Sequence, residues 1–334
     1  MRTTQLRDGA LALTSIGYGA APLGNLYQAV SDERARAAVD TAWDRGIRYF
    51  DTAPHYGLGL SERRLGAALR ERPRDEYVLS TKVGRLLLPA AGPGPDRDLD
   101  AGFDVPADFR RQWDFSGDGV LRSIEASLDR LGLDRIDVAL VHDPDDHERE
   151  ALEGAIPALV RLREQGMVRA IGVGMNQSAM LTRFVERSDV DVVLSAGRYN
   201  LLEQSALDDL LPAALRHGTS VVVAGAFASG VLAQDWPQDG ATYAYGPASG
   251  EVLARARRIA ELCREHGVTL PAAAVQFALA PEVVPSALLG MRSAAEVDRN
   301  TALLDVDVPG QLWEALKEEG LLHERAPVPS GAAA

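Results

Sequence analysis

The chain has 334 residues, of which 46% are hydrophobic and 25% charged, a composition typical of a globular protein with a large core. Its formal net charge of −13 argues against a broad electrostatic surface for nucleic acid or anionic membranes. The single cysteine, Cys263, has no disulfide partner within the chain and is expected to be a buried helical residue. The chain shows neither a signal-peptide core nor a run of about 18 apolar residues, so a cytoplasmic location is expected.

Strands and amphipathic helices are predicted to alternate along the chain. After a hairpin expected around Asp8 and Gly9, apolar and β-branched runs predict eight strands, which are SIGYG, GIRYF, YVLST, DVALV, VRAIGV, DVVLS, SVVVA and VPSALLG. Several of the intervening helical segments end at glycines such as Gly46, Gly166 and Gly218. Strands that are apolar on both faces and joined by helices predict a parallel sheet, and eight such units predict a (β/α)8 barrel.

An open, doubly wound sheet is the alternative to the barrel. It predicts a glycine-rich phosphate loop directly after the first strand. Gly17, Gly19 and Gly24 follow the spacing GxGxxxxG, and no clear helix comes directly after them. The barrel is therefore the favoured fold.

Two long segments interrupt the alternation. Residues 84–114 and 225–250 are rich in proline, glycine and polar residues, and loops of this length usually cover or shape a functional site. Neither resembles a domain linker, so a single domain is predicted for residues 1–324. The small, proline-containing segment 325–334 is predicted to be disordered.

Four titratable side chains fall at or near predicted strand ends. Asp51 and Tyr56 lie in DTAPHYGLGLSERRLG, between a strand and a helix that Ser61 is expected to cap, while Lys82 follows YVLST and His142 ends IDVALVH. Because the carboxyl ends of barrel strands converge on one rim, these side chains are predicted to share a site. Two further polar residues hold comparable positions: Asn176 and Arg198.

This combination predicts proton transfer to or from a substrate oxygen. A phenol has a pKa of about 10, and an ammonium beside Tyr56 would lower that pKa by stabilising the phenolate. Lys82 would supply the ammonium, Asp51 would hold it, and His142 would donate a hydrogen bond to the substrate oxygen. None of these groups can supply hydride, so a redox cofactor is required. Each residue taken alone is more simply interpreted as structural, but together they favour a shared site.

A metal site is the alternative for the segment HDPDDH, which contains two histidines and three aspartates. The acidic residues after Pro144 suit the start of a helix, where they interact favourably with the helix dipole. No second histidine follows another predicted strand. Metal-dependent hydrolysis is therefore the weaker hypothesis, and no metal is expected.

The motifs DTAPHYGLGLSERRLG, STK and LVHDPD, in this order, resemble those of the aldo-keto reductase superfamily, and the resemblance covers residues 16 to about 304. It implies a (β/α)8 barrel and a catalytic tetrad of Asp51, Tyr56, Lys82 and His142, with Tyr56 as general acid and base. APLGNLY, HDPDDH, IGVGMNQ and AGRYNLLEQ are most similar to the branch of D-threo-aldose 1-dehydrogenases, L-fucose and L-galactose dehydrogenases and pyridoxal 4-dehydrogenase. That branch is implied to oxidise sugar lactols at C1 with NAD(P)+ and without metal.

The resemblance also implies cofactor and substrate contacts. The implied cofactor-binding residues are Asp51, Asn176, Gly225, Phe227, Ser229, Gly290, Arg292, Glu296 and Asn300. His55 and Trp113 would face the substrate, although Trp113 is equally interpreted as an anchor of its loop. Ala224 stands where many relatives carry an aromatic residue against the nicotinamide. The carboxylate of Glu296 would repel a 2′-phosphate and Arg292 would attract it, so the choice between NAD and NADP stays open.

The expected function is NAD(P)-dependent oxidation of a small aldose, such as L-fucose or L-galactose, at C1 to the lactone. The protein is expected to be a monomer or weak homo-oligomer without nucleic-acid or membrane partners. Two alternatives stay open: an NADPH-dependent reductase of aldehydes or pyridoxal-type substrates, and a nucleotide-bound regulatory protein. The physiological substrate, the reaction direction and the conformation of residues 84–114 also stay open.

Overall fold

The computed structural model describes residues 1–6, 9, 11–90, 96–244 and 246–329. Its strands are β1 (Thr3–Gln5), β2 (Ala12–Thr14), β3 (Ile16–Gly19), β4 (Tyr49–Asp51), β5 (Val78–Val83), β6 (Arg85–Pro89), β7 (Phe109–Trp113), β8 (Val138–His142), β9 (Ala170–Met175), β10 (Val192–Ala196), β11 (Ser220–Ala224), β12 (Thr242–Tyr243), β13 (Gly246–Pro247) and β14 (Ala287–Gly290). Its helices are α1 (Asp32–Asp44), α2 (Leu60–Leu69), α3 (Gly117–Leu131), α4 (Glu148–Glu150), α5 (Ile156–Glu164), α6 (Ser178–Arg187), α7 (Leu210–His217), α8 (Gly250–Glu265), α9 (Leu270–Ala278), α10 (Ala294–Ala302) and α11 (Gly310–Glu318). A π-helical turn, Ala151–Ala155, joins α4 to α5.

Eight parallel strands form a closed barrel in the order β3, β4, β5, β8, β9, β10, β11 and β14. The barrel closes where β14 pairs with β3, with Leu288 opposite Gly17. These are the eight strands predicted from the sequence, so the (β/α)8 prediction is confirmed. Side chains such as Tyr49, Leu140 and Val222 form an inner cluster, and a larger apolar cluster includes residues of the barrel strands and of the helices. This two-sided burial explains why the strands read as continuous apolar runs.

The predicted N-terminal hairpin is present. Strands β1 and β2 pair antiparallel, with Thr3 opposite Thr14. Leu6 and Leu13 join the inner cluster of the barrel, so the hairpin contributes to the core. Gly9 adopts a φ of 70°, which suits the turn, whereas Asp8 lies outside the described residues.

Helix α2 begins two residues earlier than the sequence predicts. The N-cap is Gly59, with a φ of 81°, and not Ser61. Ser61 is buried; its Oγ donates to the carbonyl oxygen of Ala20 at 2.7 Å and lies 2.9 Å from Oγ1 of Thr52. The Ser61 hydroxyl therefore ties α2 to the segments that follow β3 and β4, instead of capping the helix.

Both long segments contain short hairpins. In residues 84–114, β6 pairs antiparallel with β7, and Arg85 lies opposite Trp113. Phe103 and Val105 pack with Leu58 in a small apolar cluster beside this hairpin. Residues 91–95 lie outside the described residues. In residues 225–250, β12 pairs with β13.

Part of the C-terminal tail differs from the predicted disorder. Ala326 is buried, Val328 packs against the main core, and the guanidinium of Arg325 forms an ion pair with Asp208 at 2.9 Å. The tail's apolar side chains find partners on the barrel, which composition alone does not reveal. Residues 330–334 lie outside the described part of the chain.

Two composition-based expectations can be compared with the fold. Cys263 is buried in α8, as predicted, and burial raises the pKa of its thiol to about 12. Within the described residues, no helix combines the length and apolar character needed to cross a bilayer.

Candidate active site

The structure brings the four predicted tetrad residues together at the rim of the barrel. Asp51 is the last residue of β4, Lys82 lies near the end of β5, and His142 is the last residue of β8. Tyr56 lies in the turn between β4 and α2, and its ring centroid is 4.8 Å from Nζ of Lys82. The juxtaposition follows from parallel strands ending at one rim.

Lys82 and Asp51 form a buried ion pair whose charged atoms have further hydrogen-bond partners. Nζ of Lys82 donates to Oδ2 of Asp51 at 2.7 Å and to the carbonyl oxygen of Thr52 at 3.0 Å. The other carboxylate oxygen, Oδ1, accepts a hydrogen bond from Oγ of Ser80 at 2.7 Å. Although burial opposes the charged form, Asp51 and Tyr56 raise the pKa of Lys82 above its usual value. Lys82 is therefore an ammonium group held against Tyr56.

The phenol of Tyr56 is not acidic in this structure. Burial raises the pKa of Tyr56 to about 12, while the ammonium of Lys82 acts in the opposite direction. The prediction that Lys82 lowers this pKa has the right sign for that one interaction, but burial outweighs it. Tyr56 is therefore a neutral phenol in this structure, and Lys82 is the group that favours its phenolate form.

His142 is a neutral imidazole packed against Tyr56. The two ring centroids are 5.9 Å apart and the rings are nearly perpendicular, at 89°. Burial, followed by the charges of Arg85 and Lys82, holds the pKa of His142 well below its usual value. Its Nδ1 is buried and has no hydrogen-bond partner among the described residues, and its Nε2 lies 3.5 Å from Oδ2 of Asp143. A neutral imidazole can donate one hydrogen bond, from the nitrogen that carries the proton.

His55, predicted to face the substrate, lies beside the tetrad. Its ring centroid is 5.6 Å from that of His142 and 6.1 Å from that of Tyr56. Nε of Arg111 donates to Nδ1 of His55 at 2.5 Å, so the His55 proton must be on Nε2. Burial, together with Arg85 and Arg111, lowers the pKa of His55 to about 2. His55 therefore presents a neutral Nε2–H donor.

Trp113, the second predicted substrate residue, lies on the outer side of the site. The guanidinium carbon of Arg85 is 4.4 Å from its ring centroid, and its ring stacks on Phe115 at 5.8 Å. The side chain is still 45% exposed. The contact with Phe115 fits the loop-anchor interpretation, and the exposed area leaves room for a substrate contact.

Sequence reasoning missed three charged residues of this site: Arg85, Arg111 and Asp143. Arg85 forms an ion pair with Asp143, and Arg111 is held by an ion pair with Asp98 at 2.5 Å. The position of Asp143 directly after His142 was an available signal. Arg111 had none, because it reaches the site through the pairing of β6 with β7.

A cleft of about 680 Å³ opens beside the tetrad. It runs past Asp51 and Tyr56 to the ends of β10, β11 and β14. Five predicted cofactor residues line it: Asp51, Asn176, Gly225, Ser229 and Gly290. Arg198, Glu203 and Tyr243 line it as well, of which only Arg198 was singled out from the sequence. Gly225 has a φ of 78°, a conformation that favours glycine, and brings bare backbone to the cleft wall.

Four predicted cofactor residues lie outside the lining of this cleft: Phe227, Arg292, Glu296 and Asn300. Phe227 packs against the main core and Asn300 is buried in α10. Glu296 lies in the first turn of α10, where its backbone N–H donates to Oγ of the N-cap Ser293 at 3.3 Å and its Oε2 accepts the backbone N–H of Arg292 at 2.9 Å. Nε of Arg292 also lies 3.4 Å from Oε1 of Glu296.

The two histidines of HDPDDH belong to different environments. His142 contacts Tyr56, whereas the ring of His147 packs near Trp113 and Phe115 at 5.7 and 5.3 Å. Across the described ranges, no group of three or more histidine, cysteine, aspartate or glutamate side chains is arranged to hold a metal ion.

Comparisons with known proteins agree with this geometry. Residues 15–319 match the aldo/keto reductase family. A D-threo-aldose 1-dehydrogenase of Pseudomonas sp is 49% identical over 314 residues, which cover 93% of this chain and 95% of the relative. A pyridoxal 4-dehydrogenase of Microbacterium luteolum is 41% identical over 331 residues, covering 93% of this chain and 95% of the relative. The solved holo form of an aldo-keto reductase from Bacillus halodurans has a TM-score of 0.74 and 25% identity, covering 98% of this chain and 99% of that chain.

Proposed function

Because the chain belongs to the aldo/keto reductase family of NAD(P)-dependent oxidoreductases, we propose that it oxidises a small aldose at the anomeric carbon, with Tyr56 as the proton-transfer group. One observation carries the proposal: Tyr56 lies against a buried Lys82–Asp51 ion pair at the edge of a large cleft. The aldose as substrate class is supported by the 49% identity with a D-threo-aldose 1-dehydrogenase.

The residues around the cleft fit a dinucleotide. A volume of about 680 Å³ is in the range of cofactor sites, and the cleft begins at Tyr56, where the reacting atoms would lie. Gly225 and Gly290 leave room for close backbone approach, and Asn176 and Ser229 add polar groups. A nicotinamide held in this cleft would supply the hydride acceptor for C1 of the substrate, or the hydride donor in the reverse reaction.

The side chains of the tetrad account for the proton. In oxidation, the electron pair of the C1–H bond leaves as hydride while the anomeric O–H proton passes to the phenolate of Tyr56, leaving the C=O of a lactone. Lys82 stabilises that phenolate, and Asp51 keeps Lys82 charged and in place. His142, as a neutral donor, holds the substrate oxygen.

For the cofactor, we propose that NAD is accepted at least as readily as NADP. Arg292, the residue expected to attract a 2′-phosphate, already has Glu296 beside its guanidinium and on its backbone N–H. The hydrogen bond from the backbone N–H of Arg292 holds that carboxylate at the start of α10. A phosphate at this position would therefore meet a fixed negative charge.

A second candidate is the oxidation or reduction of an aromatic carbonyl compound. The 41% identity with a pyridoxal 4-dehydrogenase favours it, and so does Phe103, whose ring lies 5.2 Å from that of His55 and 6.2 Å from that of Tyr56. Reduction of xenobiotic aldehydes with NADPH is a further reaction on carbonyl compounds of this kind. A regulatory nucleotide-binding protein would need no proton-transfer group, so the presence of Tyr56, Lys82, Asp51 and His142 together gives this alternative no support.

Initial rates separate these candidates. Purified protein is mixed with L-fucose or L-galactose plus NAD+ or NADP+, with pyridoxal plus NAD+, and with 4-nitrobenzaldehyde plus NADPH, and absorbance is followed at the reduced-nicotinamide band. The proposal predicts the largest kcat/KM with an aldose. Turnover of the aromatic compounds without any aldose oxidation would show that the substrate class is wrong.

The substrate is a small molecule. We further propose a cytoplasmic monomer or weak homo-oligomer without a nucleic-acid partner. The net charge of −13 supports the absence of a nucleic-acid partner. A single buried cysteine is compatible with a reducing compartment. Size-exclusion chromatography with light scattering tests the oligomeric state.

A further inference from the structure

Asp143 has an unusual backbone conformation for a residue at the rim of the site. Its φ is 41°, in the left-handed region that favours glycine. Aspartate is one of the few other residues that tolerate this region, and strained backbone of this kind is concentrated at functional sites. The conformation follows directly after His142, so it determines where the Asp143 carboxylate lies relative to the reacting groups.

Among the residues that the structure describes, one oxygen of that carboxylate has polar partners. Oδ2 pairs with Nη2 of Arg85 and lies 3.5 Å from Nε2 of His142. Within the described residues, Oδ1 accepts no hydrogen bond, and the Asp143 side chain is 27% exposed. Burial raises the pKa of Asp143, and the nearby Arg85 opposes that effect. Oδ1 of Asp143 can therefore still accept a hydrogen bond from a molecule bound at the site.

Arg85 holds this acceptor in place. Its guanidinium lies between two partners, the carboxylate of Asp143 and the ring of Trp113, whose centroid is 4.4 Å from the guanidinium carbon. The Arg85 side chain is 12% exposed. Arg85 also begins β6, so the β6–β7 hairpin and the end of β8 are joined through this pair.

The position of Asp143 relative to the chemistry selects one substrate group. In the proposed function, the His142 imidazole donates to the oxygen on C1, and Nε2 of that ring lies 3.5 Å from Oδ2 of Asp143. The sugar groups nearest to the C1 oxygen are the ring oxygen and the C2 hydroxyl. Only the C2 hydroxyl can donate a hydrogen bond, and a carboxylate can only accept one.

We propose that Asp143, held by Arg85, accepts a hydrogen bond from the C2 hydroxyl of the aldose and so determines specificity for 2-hydroxylated substrates; this rests on the proposed function. A hydrogen bond to a charged group discriminates strongly, because a substrate without the hydroxyl cannot donate to the Asp143 carboxylate and loses that interaction.

The test crosses two substrates with matched variants. Asp143→Asn keeps the side-chain shape and a residue type that tolerates positive φ, but removes the charge. Asp143→Gly removes the acceptor entirely and suits the backbone conformation. Asp146→Asn makes the same charge change at an exposed position of the same segment. Each protein is assayed for kcat/KM with L-fucose and with 2-deoxy-L-fucose.

We expect kcat/KM for L-fucose to fall about 10- to 100-fold in both Asp143 variants, as for loss of a charged hydrogen bond. With 2-deoxy-L-fucose the Asp143 variants are expected to match the wild-type protein, and the Asp146 variant is expected to match it with both sugars. Dissociation constants for NADH and the thermal midpoint, measured in parallel, show that the cofactor site and the fold are retained.

The failures are distinguishable. Equal losses with both sugars, or no loss with L-fucose, would overturn the role of Asp143 while leaving aldose oxidation intact. A wild-type protein that oxidises 2-deoxy-L-fucose as well as L-fucose would also overturn it. A wild-type protein that turns over neither sugar but does turn over other carbonyl compounds would overturn the proposed function and this inference together.

Discussion

Nζ of Lys82 lies 2.7 Å from Oδ2 of Asp51, and both side chains are only 2% exposed. The pair lies at the ends of two adjacent barrel strands, β4 and β5, which are hydrogen-bonded to each other. Each charge is the main compensation for burying the other, because water cannot reach either. The proton-transfer role proposed for Tyr56 depends on this pair, since the Lys82 ammonium lies 4.8 Å from the centroid of the phenol ring.

Removing one member of the pair leaves an uncompensated charge. Asp51→Asn and Lys82→Met are each expected to lower the free energy of unfolding by about 3–5 kcal/mol. The double variant is expected to be more stable than the sum of the two losses implies, because no charge is left unpaired. Urea denaturation of the four proteins measures this coupling. Simple additivity of the two losses would show that the two charges are not coupled in the folded state.

The pH dependence of the two reaction directions follows from the raised pKa of Tyr56. Oxidation needs the phenolate, so kcat/KM for aldose oxidation is expected to rise with pH towards the alkaline range. Reduction needs the phenol, so kcat/KM for reduction is expected to be independent of pH as long as the pH stays below the pKa of Tyr56. Because Lys82 lowers the pKa of Tyr56, Lys82→Met is expected to shift the oxidation profile to higher pH. An oxidation profile that the Lys82 substitution leaves in place would contradict the coupling.

The barrel was predictable because its strands are apolar on both faces, as Tyr49 and Phe50 show by burying their rings in different clusters. The tetrad was predictable because parallel strands end at one rim. Other features depend on tertiary packing that no local pattern encodes. Arg111 reaches His55 only through the register of β6 and β7, and the pKa of Tyr56 depends on how deeply the ring is buried. Ser61 matched a cap by residue type, but Gly59 takes that position.

Glu296 is expected to disfavour NADPH. Glu296→Gln keeps an oxygen for the backbone N–H of Arg292 but removes the charge, so the dissociation constant for NADPH is expected to fall about fivefold, as for a change of ~1 kcal/mol. The dissociation constant for NADH is expected to stay unchanged. Asp298→Asn, on the same helix and paired with Arg45, is the matched control. Fluorescence titration of the wild-type protein and the two variants with each cofactor gives the six dissociation constants, and an unchanged NADPH constant in the Glu296 variant would refute this role.

Acid should destabilise the fold through its two neutral histidines. His55 and His142 have lowered pKa values when folded, whereas an unfolded histidine has a pKa of about 6.5. The unfolded state therefore binds more protons below that pH, and the free energy of unfolding falls with decreasing pH, by up to about 1.4 kcal/mol per pH unit for each histidine.

His55→Asn tests this dependence, because the Asn side chain can still accept the hydrogen bond from Arg111 but does not titrate. Urea midpoints between pH 7.5 and pH 5 are compared for the two proteins. The variant is expected to show the shallower decline with acid. Identical declines would mean that His55 takes up no proton on unfolding in this range.

Tyr56→Phe is the most direct test of the account, because it removes one oxygen atom and leaves the ring to pack against Phe103 and His142. With the best aldose substrate, kcat is expected to fall about 100- to 10,000-fold, the usual contribution of a positioned acid or base. Cofactor dissociation constants, measured by fluorescence on the same sample, are expected to stay within error of the wild-type values. If instead the variant turns over at a rate close to that of the wild-type protein, proton transfer does not pass through Tyr56.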